Sequence, residues 1–422
     1  MADFVGPCHD VGLVPAARQR KTGLVLSGGG MRGAYEVGVV AGLVDVLRDT
    51  PHRKPLFDLF SGTSVGAINA TYFAANADQP DHGAERLAQL WENLRLSDHA
   101  RVRPLGLWTS GLKRRLDRLT STEKLGTSLL DTRAIEVVIR RAVDWDKLHR
   151  NIASGRVHAL MIAALQVVSG RTTVFAEHAP GVQLQPAQDE RRITSIGPIT
   201  ADHVLASAAI PLLFPTRRVG DHYYCDGGLR FNTPIAPAIR AGAERLVVVS
   251  VRHMRTFGEI ASAEKADDGE GGKDLGPLFL VGKLLNALLL DPVAYDLQMM
   301  DRLNQMMEVL EEALPAEQLE RVQRVWLKHR GAPYRRLETL VFTPSRDLGR
   351  AAGDYIRTRL DRSELQPIAR YLIDRAANEG PEAEADWASY MLFEGGFARE
   401  LIQIGRADAH AKANEVKRFF AE

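Results

Sequence analysis

The feature that most constrains this chain is a local grammar used twice near its start: an apolar run, an abrupt glycine-rich turn, then a helical pattern. Thr22-Gly23-Leu24-Val25-Leu26-Ser27 runs into Gly28-Gly29-Gly30-Met31-Arg32-Gly33. Ala34, Val37, Val40, Ala41, Val44 and Leu47 then share one broad helical face, and Pro51 marks that helix's exit. Leu56 to Ser61 next runs into Gly62-Thr63-Ser64-Val65-Gly66, followed by small helical residues. Strands joined through helices return parallel to one another, so the fold class expected is α/β, a three-layer α/β/α domain with a largely parallel central sheet.

The second turn has the G-x-S-x-G spacing of a nucleophile elbow, in the strand-then-helix setting that chemistry requires. Glycines two before and two after Ser64 let strand and helix close up and push the serine hydroxyl into the open. The helix N-terminus beneath adds a field that favours developing negative charge. Alone, the five residues also describe an ordinary Gly/Ser turn.

The first turn satisfies G-x-G-x-x-G, which can mark a dinucleotide site. That site needs an acidic residue at the end of the second strand to hold a ribose hydroxyl. Here the second strand ends in Ser61-Gly62-Thr63-Ser64, and the nearest acid, Asp58, precedes its end. An oxyanion hole is the better account. Glycines at a strand-to-helix turn expose backbone N–H groups with no Cβ to block a substrate. The candidates are Gly28, Gly29, Gly30 and Gly33, with Arg32 either adding positive charge or sitting solvated at the helix start.

Ser64 then needs a base. Asp226-Gly227-Gly228 ends the short apolar run Tyr223-Tyr224-Cys225, and its glycines permit close approach of another segment, although such a triplet is also a common turn. A carboxylate ordinarily titrates near ~3.9, so it serves as base only where water is excluded and the oxyanion is stabilised. In a Ser-His-Asp arrangement the histidine candidates are His203, His222 and His253, none flanked by turn chemistry that marks it.

Elsewhere, Gly83–Leu94 reads as a helix, Arg101–Arg118 as a basic exposed loop, and Asp131 as the N-cap of a further helix. Val157–Val168 and Thr172–Ala176 read as a hairpin, and Ala179–Arg192 as loop. A helix at Thr200–Ile210 stops at Pro211, and another lies near Pro234–Ala241. Leu246–Ser250 suits a central parallel strand. Residues 257–274 read as a flexible excursion, Leu278–Leu310 as helix interrupted at Pro292, Leu340–Pro344 as a last strand, and Ala351 onward as helical. The expected division is a tail over 1–20, a catalytic domain over 21–255, and a mainly helical region over 256–422.

Bulk chemistry excludes several classes. The chain has 422 residues and a net charge of +1, without the basic excess of a nucleic-acid surface. Two cysteines, Cys8 and Cys225, supply neither a disulfide framework nor a zinc cluster. No secretory pattern opens the chain and no apolar run is long enough to span a bilayer, so a cytoplasmic protein is expected. Peripheral contact with a membrane stays open through Leu278, Phe279, Leu284, Leu285, Leu288 and Leu289, whose alternative is a core or dimer helix.

Taken in order, Ser27 to Tyr35, Gly62 to Gly66 and Asp226-Gly227-Gly228 resemble the patatin-like phospholipase family. Ala206-Ser207-Ala208-Ala209-Ile210-Pro211 and Phe214-Pro215 are similar to its pattern as well. The resemblance covers roughly residues 20 to 255. It implies a Ser-Asp dyad without histidine, Ser64 as nucleophile and Asp226 as base, the glycine loop as oxyanion hole, and no metal or cofactor. It implies a lipid or phospholipid ester as substrate. Acyl transfer to an alcohol and a lipid-binding scaffold without turnover are the alternatives, and a homo-oligomer is compatible with either. The third aspartate-motif residue is glycine here, where alanine also occurs in the family.

Overall fold

Alternation along the first strand sets the layers. In β1 (Thr22–Leu26), Leu24 and Leu26 join one apolar cluster while Val25 joins another on the opposite face of the sheet. The same split recurs in β2 (Leu59–Thr63), β3 (Ala159–Gln166) and β8 (Arg245–Val249). A sheet apolar on both faces must be covered on both, which yields three layers. The computed structural model describes residues 20–52, 55–95, 133–185, 189–211, 213–254, 291–330, 336–361 and 384–421.

The sheet runs in the order β5-β4-β3-β2-β1-β8-β9, with the short strands β6 (Arg217–Val219) and β7 (His222–Asp226) branching from β3. β3, β2, β1, β8 and β9 (Glu338–Phe342) are mutually parallel. β4 (Thr172–His178) turns back antiparallel on β3, the expected hairpin, with Gly170 at φ 64° in its turn. β5 (Arg192–Ile196) lies beside β4. β5 and β6 carry no clear apolar alternation, and only their pairing reveals them. The ladder between β1 and β2 begins at Leu59, because Asp58 is used otherwise: its backbone N–H donates to Thr22 and its carboxylate accepts the Thr22 N–H at 2.8 Å. Asp58 is thus a buried staple of the sheet, remote from a nucleotide role.

On one face lie α1 (Gly33–Leu47), α2 (Val65–Ala75) and α3 (Pro80–Glu92), with α4 (Arg133–Ala142) and α5 (Trp145–Ala153) following in the chain. α6 (Ala201–Ser207) precedes β6, and α7 (Ile235–Arg240) packs on the other face of the sheet through Ile235 and Ala238. α8 (Asp291–Ala313) holds Pro292 in its first turn, where a missing N–H costs nothing, and the expected helix before this proline lies outside the described residues. α9 (Ala316–Arg330) follows it.

The region beyond residue 255 enters the core of the domain. It supplies the edge strand β9, and α10 (Leu348–Thr358), α11 (Glu384–Met391), α12 (Gly395–Ala411) and α13 (Ala413–Phe420). α12 lies against α1 so closely that three glycines form the crossing. A Cβ on Gly38 would stand 2.2 Å from the Ile402 carbonyl oxygen, and one on Gly405 2.3 Å from that of Tyr35. Gly42 would meet the Cβ of Ala409 at 2.7 Å. The expected loop at 101–118, the Asp131 cap, the 257–274 excursion and the 278–289 apolar stretch lie outside the described residues. No described helix is long and apolar enough to cross a membrane.

Because both Gly38 and Gly405 face rigid backbone, Gly405→Val should destabilise the whole domain by at least the ~1–3 kcal/mol typical of overpacking. Urea unfolding followed by circular dichroism measures it, and an unchanged midpoint would mean that α12 does not depend on this crossing.

Candidate active site

The G-x-S-x-G turn is built from backbone packed on backbone. A Cβ at Gly62 would come within 2.3 Å of the Gly66 carbonyl oxygen, and one at Gly66 within 2.5 Å of the Leu26 oxygen at the end of β1. Ser64, between them, has φ 56° and ψ −127°, and among the described residues it alone has a positive φ without being glycine. Holding such a residue costs ~1–3 kcal/mol. Two contacts offset that cost. The Ser64 N–H donates to Ser207 Oγ at 2.8 Å, and the Ser207 hydroxyl donates to the Ala163 carbonyl at 2.6 Å. Ser207 is therefore the residue that holds the strained turn to β3, a role the sequence pattern did not reveal.

Asp226 arrives from the other direction. β7 pairs antiparallel with β3, placing Asp226 opposite Ala164, one residue beyond the level at which β2 pairs with β3 through Thr63 and Ala163. The Asp226 N–H donates to Ala209, and Gly227 lies so close to the Ala163 carbonyl that a Cβ would stand 2.3 Å from it. The carboxylate is only 1% exposed. Its Oδ1 accepts the Gly228 N–H at 2.7 Å, and its Oδ2 accepts the Ser64 hydroxyl at 2.5 Å. Burial lifts its pKa to about 7, against the opposing pull of the Ser64 and Gly228 hydrogen bonds. The two residues singled out 162 positions apart in sequence thus share one hydrogen bond.

Small hydroxyls tie the segment after Asp226 to the strand ends. Ser61 Oγ donates to the Pro234 carbonyl and Thr63 Oγ1 to that of Phe231, each at 2.8 Å. Ser27 Oγ lies 2.8 Å from Thr233 Oγ1. Asn232 clamps Gly28 from both sides, its carbonyl accepting the Gly28 N–H and its Nδ2 donating to the Gly28 carbonyl. The Gly28 amide is spent on that clamp, and the Gly33 amide on the carbonyls of Gly30 and Met31. Gly30, at φ 55°, reaches the cleft beside Ser64, as does Val65, whose amide opens α2. Gly33 packs on Val65 and holds α1 close to α2.

Arg32 points elsewhere. It is 3% exposed; its Nε donates to Ser389 Oγ at 2.8 Å and its guanidinium lies 4.1 Å from the centre of the Tyr390 ring. The Tyr390 carbonyl also sits where a Cβ on Gly30 would be, at 2.3 Å. α11 therefore props the glycine loop from behind. None of the histidines considered lies in the cleft. His203 closes a capping box with Thr200 at the start of α6, His222 is exposed on β7, and His253 contacts the Pro344 carbonyl. Burial raises the Cys225 thiol to about 11, with the neighbouring Asp226 charge adding to the shift.

The cleft above Ser64 is open to solvent at its mouth. Its walls are apolar, with Ile68, Tyr72, Leu87, Trp91, Ile139 and Leu205 among them, and Phe393 entering from beyond α11. Trp91 is fixed by its Nε1–H bond to Asn69, whose amide in turn bonds the buried carboxyl of Glu36. Burial pushes the pKa of Glu36 well above the ordinary carboxyl range, against the opposing pull of the Asn69 amide and the Ser27 backbone.

A serine on a strained strand-to-helix turn, bonded to a buried aspartate beneath an apolar cleft, defines the class: a three-layer α/β protein with a sharp serine-bearing elbow. The family model for patatin-like phospholipase matches residues 24–239, just over half of the chain, and the chain belongs to that family. It is 29% identical over 230 residues to a cGAMP-activated phospholipase of Pseudomonas aeruginosa (strain BWHPSA011 / Pa011), covering 50% of this chain and 53% of that one. A second relative, lysophospholipase nte1 of Aspergillus terreus (strain NIH 2624 / FGSC A1156), is 38% identical over 78 residues, covering 17% of this chain and 5% of its own length. The chain thus spans about half the length of the first relative and a small part of the second. Among solved structures it is similar to human GIVD cytosolic phospholipase A2 in complex with methyl gamma-linolenyl fluorophosphonate. The TM-score is 0.40 at 10% identity, covering 95% of this chain and 59% of that one. VipD from Legionella pneumophila gives a TM-score of 0.29 at 12% identity, covering 89% and 66%.

Two outcomes follow from the geometry. Ser207→Ala removes the acceptor of the buried Ser64 N–H and should cost ~1–3 kcal/mol in urea unfolding. The raised pKa of Asp226 means that between about pH 4 and pH 7 the native protein holds a proton the unfolded chain releases, so its contribution to stability falls as pH rises through that window. Asp226→Asn should accordingly melt higher than the parent at pH 8 and lose that advantage at pH 4, as scanning calorimetry at the two pH values would show.

Proposed function

We propose that the protein is a lipid acyl hydrolase that cleaves carboxylic esters through Ser64 and Asp226. The observation that carries this reading is the bond from the Ser64 hydroxyl to a buried Asp226 carboxylate, at the floor of an apolar cleft of acyl-chain character. Membership of the patatin-like phospholipase family, and relatives named as a phospholipase and a lysophospholipase, support the lipid substrate.

Ser64 Oγ attacks the ester carbonyl while its proton passes to Asp226 Oδ2. Burial makes this carboxylate a stronger base than one in water, closer to the working pH. The Gly228 N–H on Oδ1 keeps the second oxygen turned to the serine. Negative charge on the former carbonyl oxygen falls to the N–H groups of Gly29 and Gly30, with the Val65 amide at the positive end of α2 beside them. The tetrahedral intermediate collapses, the alcohol leaves with the proton from Asp226, and an acyl-Ser64 ester remains. Water, deprotonated by Asp226, releases the fatty acid. The loop glycines Gly28 and Gly33 and the turn glycines Gly62, Gly66 and Gly227 serve this chemistry by shape: each sits where a side chain would collide with the machinery.

Ser64→Ala and Asp226→Asn should each lower turnover of a long-chain ester by at least a thousandfold while the far-ultraviolet spectrum stays native. The kcat/KM of the parent should rise with pH to a plateau with a midpoint near 7, since the base must be ionised. A fluorophosphonate probe should label Ser64 in the parent only. A fully active Asp226→Asn protein would overturn the dyad, and a folded parent that neither labels nor hydrolyses esters would point to a lipid-binding scaffold.

A further inference from the structure

We propose that Arg217 and Glu136 form a reader for a zwitterionic phospholipid headgroup, with Arg217 taking the phosphate and Glu136 facing the headgroup cation. This rests on the lipid-ester reading of the cleft and names its substrate class. Among the described residues lining the cleft, Arg217 is the one charged side chain. It belongs to β6 and forms an ion pair with Glu136 of α4, the helix whose Val138, Ile139 and Ala142 line the same cleft. Both side chains are largely sheltered, at 13% and 18% exposure.

Strand register places this pair near the reacting atoms. Arg217 pairs with Tyr224, two residues before Asp226 on β7, so the side chains of Arg217 and Asp226 leave the same face of the sheet. A strand rise of ~3.3 Å and a spacing of ~4.8 Å put their Cα atoms about 8 Å apart. An arginine side chain spans much of that distance. A glycerophospholipid presents the matching shape, with its phosphate a few bonds from the scissile ester.

Charge decides the headgroup. A guanidinium offers five donors in a planar fork and can serve a carboxylate and a phosphate oxygen together. A lone arginine would favour any anionic lipid. An arginine beside a glutamate is neutral as a pair, which complements a phosphate followed by an ammonium and penalises a headgroup whose only charge is negative. In so apolar a cleft these interactions are weakly screened, so the pair discriminates strongly.

The test uses ether-linked lipids, which cannot be hydrolysed, titrated into the full chain below their micelle concentration. The ligands share one alkyl chain: an alkylglycerophosphocholine, an alkylglycerophosphoglycerol and an alkylglycerol. Arg217→Gln should raise the Kd ratio of the phosphocholine ligand to the alkylglycerol at least tenfold. Glu136→Gln should raise the ratio of the phosphocholine to the phosphoglycerol ligand at least threefold. Equal weakening of all three ligands by either variant, or no change in the ratios, would reduce the pair to a structural tie and overturn the proposal. Glycerophosphocholine without a chain binding as tightly as the lipid would overturn it too, since the site would then read a free phosphodiester. Ester hydrolysis with unaltered ratios would sink this assignment alone, whereas headgroup-selective binding without hydrolysis of any ester would sink the hydrolase reading alone.

Discussion

The structure depends on one backbone contact: the turn around Ser64 closes only because Gly62, Gly66 and the end of β1 touch without side chains between them. That closure forces Ser64 into a positive φ, and the strained conformation lifts its hydroxyl off the sheet toward Asp226. Neighbouring groups are arranged to hold this state. Ser207 receives the Ser64 amide, α2 begins directly after it, and the hydroxyls of Ser27, Ser61 and Thr63 reach the segment from Phe231 to Pro234. A buried polar group must be paired, so each of these small side chains locks one piece of the loop beyond Asp226 to the strand ends.

The same region balances two opposed needs. The base proposed for this site must be ionised to accept a proton, yet burial among apolar groups resists ionisation. Asp226 stands between them, with the Ser64 and Gly228 donors pulling its pKa down and desolvation pushing it up to about 7. A fully exposed carboxylate would be too weak a base, and a buried one without donors would stay protonated near neutrality.

The part of the chain beyond the family match completes the domain. β8 and β9 widen the sheet, α12 lies in glycine-lined contact with α1, and α11 supplies the Ser389 and Tyr390 contacts to Arg32 and the glycine loop. Phe393 contributes a wall of the cleft. The glycine loop rests on these residues. Arg32 shows the difference most clearly: its position in the glycine loop suggested either a charge for the substrate or a solvated side chain, while its guanidinium faces α11.

Local chemistry alone determined a good deal of this protein. The two strand–turn–helix units, the hairpin at Gly170, the strand before Asp226 and the glycines around Ser64 were legible because each follows from steric demands within a few residues. The distant pairing of Ser64 with Asp226 was reached through a motif resemblance, since spacing says nothing about which turns meet. Ser207 lay in a stretch similar to the family's pattern, but nothing local showed which group it bonds, and Asn232 and Arg217 had no distinguishing local pattern at all. Only tertiary structure decided their roles, because what each one does is set by the backbone or charge it meets across the sheet, and that neighbour is chosen by strand order and register.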